Sequence, residues 1–301
     1  MTDSEQKSSV ANPLPRDVVE TFHGAEIQHG PYNRRIYLMN IRDAHPERLI
    51  EAMKALCRRE GYTKIFAKVP LEFKRIFTGA GFKTEAEVPK FYNGYQTAVF
   101  LGYYLDPQRK KTDTGELNRI LQLAREKAPK EDSPSNRDTG VLRRKPLPED
   151  AVLRECVPAD TEQMAAIYRA VFPTYPFPIH SPQYLEETMH SHIRYFGIER
   201  EGMLVALSSA EMDAVSQNVE MTDFATLPAQ RGHGFAVHLL KRMEAAMISD
   251  DFRLAYTIAR ARSAGMNITF SRLGYCYGGR LINNTQISGR IESMNVWYRE
   301  L

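Results

Sequence analysis

The segment that most restricts what this chain can fold into is LPAQRGHGFAVHLLKRME, from Leu227 to Glu244. It follows NVEMTDFATL, an apolar-rich run that reads as a strand, and it opens a helix with one apolar face. A strand that turns through two glycines straight into an amphipathic helix belongs to an α/β fold. Gly232 and Gly234 let the backbone approach a ligand closely, and a helix N-terminus points free N–H groups at it. Such a turn cradles a pyrophosphate, with Arg231 and His233 as further donors. Glycines also serve ordinary strand–helix turns, so the turn alone does not fix the ligand.

The rest of the chain extends the alternation. In the first half, IYLMNI, TKIFAKV and QTAVFLGYYL read as strands, and ERLIEAMKALCRREG as a helix stopped by Gly61. A short helix follows Pro70 and runs through Phe77. The segment 106–150 is polar and rich in Pro, Ser, Asp and Lys, with one helix predicted in GELNRILQLAREKA. The second half reads AVLREC as a strand, PADTEQMAAIYRAVF as a helix, and PQYLEETMHSHIRYFGIER as helix into strand. MLVALSSAEMD, NVEMTDFATL, LAYTIAR and ESMNVWYREL are further strands, with a helix in AGMNITFSRLG. The expected domains are a disordered leader 1–21, an α/β domain 22–130, a linker 131–150 and a catalytic domain 151–301. The ends of the two halves share an order: strand, helix, Gly-aromatic turn, extended loop, aromatic-rich strand. That order suggests an internal duplication.

Composition excludes several classes. A formal net charge of +3 over 301 residues is too weak to argue for nucleic acid. The one basic block, Arg143-Arg144-Lys145, is short and falls in the linker. No run of apolar residues is long enough to span a membrane, and the N-terminus lacks a signal core, so the cytoplasm is expected. Cys57, Cys156 and Cys276 lack metal or redox spacing and read as reduced structural thiols. His180, His190 and His192 lack carboxylate or Cys partners at ligand spacing, so no metal is inferred.

Strand, then LPAQRGHGFA, then an apolar helix face resembles the acetyl-CoA-binding motif of the GNAT acetyltransferases. The family pattern begins with Gln or Arg. Ala229 holds that position here, and Gln230 and Arg231 stand beside it. NVEMTDFATLP, AYTIARA, GMNITF and INNTQISGRIESMNVWY in the second half resemble the β-lysine N6-acetyltransferases. So do IYLMN, GYTKIFAKVP and PKFYNGYQTAVF in the first half. The resemblance implies a GNAT fold, a mixed central sheet flanked by helices, preceded by a smaller, degenerate GNAT-like α/β domain without the glycine turn. It implies acetyl-CoA as co-substrate, no metal, and a small diamine acid as acceptor. The product would be a zwitterionic compatible solute used in osmoadaptation. A homodimer is left open. So are another amine acceptor (a polyamine, free lysine or protein lysine) and a non-catalytic acyl-CoA-binding regulator.

Site roles follow from chemistry and resemblance together. The strand end Phe224, Ala225, Thr226 and Leu227 is expected to pair with the pantetheine arm, and an N–H near Ala225 or Thr226 to meet the oxyanion. Arg231, Gly232, His233, Gly234, Phe235 and Ala236 form the pyrophosphate turn. Asn267, unfavourable inside a helix, is expected to bond the cofactor. An alkyl ammonium with a pKa of about 10.4 must lose a proton before it attacks. Glu220 and Asp223 are the candidate bases, Asp223 also a candidate anchor for a substrate ammonium. Three positions apart on a regular strand, they face opposite sides unless a bulge intervenes. The family's usual Tyr acid position, four before Gly274, holds Phe270, which leaves Tyr275 or Tyr277. Tyr175 and Phe177 can wall the aliphatic part of the acceptor, and Arg260 or Arg262 can take its carboxylate.

Overall fold

The computed structural model describes residues 17–129 and 146–301. The Arg143–Lys145 block and most of the expected leader and linker lie outside them. Strands β1 (Val18–Phe22), β2 (Ala25–Gly30) and β3 (Arg35–Asn40) lead into helix α1 (Pro46–Glu60). β4 (Lys64–Pro70), α2 (Lys74–Gly79), β5 (Lys83–Tyr92) and β6 (Gln96–Tyr104) complete the first half, and α3 (Thr114–Arg125) follows. The second half runs β7 (Ala151–Glu155), α4 (Thr161–Val171), α5 (Pro182–Met189), β8 (Ile193–Arg200) and β9 (Met203–Asp213). It continues with β10 (Asn218–Thr226), α6 (Phe235–Ser249), β11 (Leu254–Arg260), α7 (Ala264–Arg272), β12 (Cys276–Ile287) and β13 (Arg290–Glu300).

All of these strands form one 13-stranded mixed sheet, in the order β1-β2-β3-β4-β6-β5-β12-β13-β11-β10-β9-β8-β7. Read outward from the β5–β12 seam, the two sides repeat: β6 answers β13, β4 answers β11, β3 answers β10. In each half one parallel pair is bridged by a helix, β3–α1–β4 and β10–α6–β11. The duplication suggested by the sequence is therefore present as topology. At the seam Gly279 pairs with Ala86, and a Cβ on Gly279 would lie 2.2 Å from the Glu85 carbonyl oxygen. Only glycine lets the two backbones come this close.

Four elements differ from expectation. The leader ends before residue 21, because β1 already pairs with β2 from Val18. The two extended loops before the final strands are themselves strands, β5 and β12. Lys83–Tyr92 and Cys276–Ile287 make little sense as strands from local pattern alone, but hairpin pairing with β6 and β13 gives their backbone groups partners, and Ala86 and Gly279 join them across the seam. Helix α3, placed by sequence in the first domain, sends Leu121 and Ala124 into the core formed by α6, α7 and β10. Finally, the halves share a core of their own. Phe66, Phe91 and Phe100 from the first meet Tyr256, Met294 and Val296 from the second.

Candidate active site

The site begins where a parallel pair stops pairing. β10 and β11 are in register only from Asn218–Leu254 to Glu220–Tyr256. Beyond that they diverge, and a cleft of about 660 Å³ opens between Thr222–Thr226 on one side and Thr257–Arg260 on the other. Divergence leaves the facing N–H and C=O groups of both strands available to an extended ligand. The cleft ends at the glycine turn. Gly232 (φ 87) and Gly234 (φ 77) hold left-handed backbone with nothing within 4 Å of where a side chain would begin, and Gly234 is the N-cap of α6. The turn therefore presents open space over a helix N-terminus, which suits a pyrophosphate.

Seven of the residues assigned by sequence to the cofactor line this cleft: Phe224, Thr226, Arg231, Gly232, Gly234, Phe235 and Ala236. His233 stands aside, its ring stacked on Phe235 at 5.4 Å. Ala225 is 1% exposed and, with Leu227, packs toward Met164 and Tyr168. Asn267 is not a cofactor ligand. Its Oδ1 accepts from Asn295 Nδ2 (2.7 Å) and Trp297 Nε1 (2.9 Å), and its Nδ2 donates to the Arg260 and Ser263 carbonyls. Every polar position of that buried amide is used in tying α7 to β11 and β13.

A bulge decides the carboxylates. Register with β9 shifts between Thr222 and Ala225, and Asp223 has φ 56. Glu220 and Asp223 therefore share a face, although their spacing on a regular strand would separate them. Asp223 is 6% exposed and accepts from Tyr175 Oη and from Ser209 Oγ at 2.7 Å. Burial raises its carboxyl, and the Tyr175 and Ser209 hydroxyls oppose the rise. With those hydroxyls bound, Asp223 is poorly placed to anchor an ammonium. Glu220 sits beside the Tyr256 hydroxyl and the Ile258 amide, which favour its charged form, at the point where the strands part. Burial pushes its carboxyl up to about 6, while Lys68 across the interface restrains the rise. Glu211 on β9 lies directly opposite Glu220. Burial, Asp223 and Glu220 push it well above the carboxylate range, which favours its neutral acid.

A second cavity of about 620 Å³ meets this cluster from the other side. Gln28 and Met39 of the first half line it with Phe177, Tyr184 and Glu211, and Tyr175 lines both cavities. Tyr175 and Phe177, expected from sequence to wall the acceptor, line this cavity. The two arginines do not. Arg260 reaches the cleft but holds Glu292 in a two-point bridge of 2.8 and 3.0 Å, and Arg262 is paired with Glu116. Both are committed to carboxylates of the chain itself. Phe270 lines the cleft, as expected of its position, while Tyr275 is buried against Phe270 and Glu244 and does not line it. Tyr277 packs on Trp297. Neither tyrosine is placed to act as the acid.

Sequence reasoning missed what the first half brings to this region: Gln28 lines the second cavity, and Lys68 acts on Glu220 electrostatically. The signal was present in KIFAKV, where Lys64, Phe66 and Lys68 fall on one face of a strand that is otherwise apolar. Among the described residues no group of three or more His, Cys, Asp or Glu is placed to hold a metal. No helix among them is long and apolar enough to cross a membrane.

A cleft in a strand splay, a glycine turn at a helix N-terminus and a buried carboxyl raised to about 6 suit an acyltransferase that takes its acyl group from a nucleotide-linked thioester. The profile of the Acetyltransferase (GNAT) family matches residues 161–275. A protein of Methanococcus maripaludis named Beta-lysine N(6)-acetyltransferase is 37% identical over 274 residues, covering 91% of this chain and 95% of that one. One of the same name from Methanosarcina mazei is 35% identical over 85% of this chain and 97% of its own length. N-acetyltransferase YodP of Bacillus subtilis is 30% identical over 92% of this chain and 96% of its own. The chain belongs to the GNAT acetyltransferase family, and it is an enzyme that uses acetyl-CoA as co-substrate.

Proposed function

We propose that this chain acetylates the terminal N6 amine of β-lysine. The observation that carries the chemistry is Glu220, enclosed where the strands part and with a carboxyl near pKa 6. At neutral pH such a group is mostly ionised, yet basic enough to take a proton from an ammonium, directly or through a water. Acetyl-CoA supplies the acyl group when bound in the cleft. The residues do the rest. Gly232, Gly234 and the first amides of α6 hold the phosphates, the splayed edge of β10 orients the donor arm, and backbone N–H groups near Ala225 and Thr226 meet the oxyanion. Asp223, held by Tyr175 and Ser209, fixes the wall between the two cavities.

The acceptor reading rests on relatives that carry this name over nearly their whole length and on a cavity walled by both halves. The product keeps a carboxylate and one ammonium and is therefore a zwitterion, which suits a compatible solute made in the cytoplasm. The test is free-thiol release with acetyl-CoA and a panel of amines. The expected order is β-lysine, then free α-lysine, then peptides. Moving the second amine by one carbon leaves a charged hydrogen bond unmade, and about ten- to hundred-fold discrimination follows. Efficient acetylation of a histone-like peptide with no turnover of β-lysine overturns the reading.

A further inference from the structure

With Arg260 and Arg262 committed to Glu292 and Glu116, the acceptor's carboxylate needs another cation. The opposite wall offers one. Lys68 projects from β4 of the first half toward the second, its Nζ 5.4 Å from the Phe91 ring and 5.8 Å from the Tyr256 ring. Tyr256 is the register partner of Glu220 on β11. Among the described residues Lys68 makes no salt bridge, in contrast to Lys64 on the same strand face, which binds Glu85 at 2.8 Å. Burial opposes its charge, and the Glu220 and Asp213 carboxylates favour it. Tyr37, Lys68, Tyr92, Glu211, Glu220 and Ile258 each keep some exposed surface although both halves enclose them. The Lys68 cation thus lies within electrostatic reach of the Glu220 and Glu211 carboxyl groups of the second half.

A second observation on the same wall is independent of Lys68. Gln28 is 2% exposed and lines the second cavity, yet its Oε1 has no hydrogen-bond partner. A buried amide oxygen without a donor is destabilising, so it is kept most readily where a ligand supplies the donor. Gln28 stands opposite Tyr37 in the β2–β3 register, and Tyr37 reaches Lys68. An acceptor oxygen and a cation thus flank one tyrosine on one face of the first half.

Resting on the acceptor read above, we propose that this face of the first half binds the zwitterionic head of the substrate. Lys68 takes the carboxylate and Gln28 Oε1 accepts from the second ammonium. The terminal amine is then left to reach Glu220. The catalytically silent half is in this account the specificity half.

Two truncated acceptors separate the contacts. 6-Aminohexanoate keeps the carboxylate and lacks the second amine, whereas 1,4-diaminopentane keeps both amines and lacks the carboxylate. The quantity read is the ratio of kcat/KM for the first over the second, which cancels any effect of a variant on Glu220 itself. Lys68→Met should lower that ratio about tenfold or more, and Lys68→Arg should restore part of it. Gln28→Leu should raise it by a similar factor. Ratios unmoved by both variants, with equal losses on the two acceptors, overturn the head site and leave the β-lysine reading standing. A wild-type enzyme that turns over neither truncated acceptor nor β-lysine overturns both.

Discussion

The two halves of the sheet share a topology and differ at the end of the central parallel pair and in the turn that follows it. In the second half, β10 and β11 pair over three positions and then diverge around the Asp223 bulge. In the first, β3 and β4 stay in register over four, Arg35–Lys64 to Leu38–Ala67, with no shift. The helix that follows differs in the same sense. α6 is capped by left-handed Gly234 after a glycine turn, whereas α1 is capped by His45 in extended backbone and begins with Pro46. Proline removes one of the amides that would face a phosphate, and no glycine turn precedes α1. The first half keeps a core of its own. It keeps its open face as well, and that face lies against the catalytic centre.

The comparison breaks most sharply at Glu220. Glu220→Gln should lower kcat by about 10²–10⁴-fold at neutral pH and recover in part as pH nears the amine pKa. In the wild type the working form is the carboxylate. Because its pKa is raised, from 4.5 to about 6, activity should be lost as pH falls through about 6, rather than through 4.5. A pH profile of kcat/KM flat down to 5, or an Asp223→Asn variant that takes the larger loss, would move the base elsewhere.

Next is the turn. Gly234→Val forces a branched side chain into left-handed backbone, which costs about 1–2 kcal/mol and withdraws the cradle as well. Acetyl-CoA binding measured by calorimetry should weaken by about 10- to 100-fold, with circular dichroism of the fold retained. Unchanged affinity removes the turn from the cofactor site.

A smaller effect is expected at the seam. Gly279→Val places a side chain against the Glu85 carbonyl and Ala86 and should reduce stability to urea by about 1–3 kcal/mol. If stability is unchanged, the halves are not held together through this contact. The least effect belongs to the first half's closed pair. Calorimetry should give one acetyl-CoA per chain, and His45→Gly should leave that number as it is. A second binding event would mean that the first repeat is not silent as a donor site.

Periodicity and turn chemistry alone made most of the elements legible, because strands and helices bury faces at fixed spacing and glycine or proline marks their ends. The helix α1 with its Gly61 stop, the strand β4 closed by Pro70, and the Gly232–Gly234 turn into α6 were all readable this way. Local sequence also carried the carboxylates of β10 and the chemistry they can perform. It could not carry facts that depend on a partner distant in the chain. The contact of β5 with β12 at Ala86 and Gly279 joins segments far apart in the chain, and α3 joins the second half because Leu121 and Ala124 find their core there. Asn267 is spent on Trp297 and Asn295, and Arg260 on Glu292, contacts closed across 28 to 32 positions. Whether Glu220 and Asp223 share a face depended on one bulged residue, whose register is set by β9 rather than by β10. Lys68 belongs to the site only because folding brings two repeats face to face. A charge on one strand acquires its role from the strand that docks opposite, and that distance is fixed by packing rather than by any spacing in the sequence.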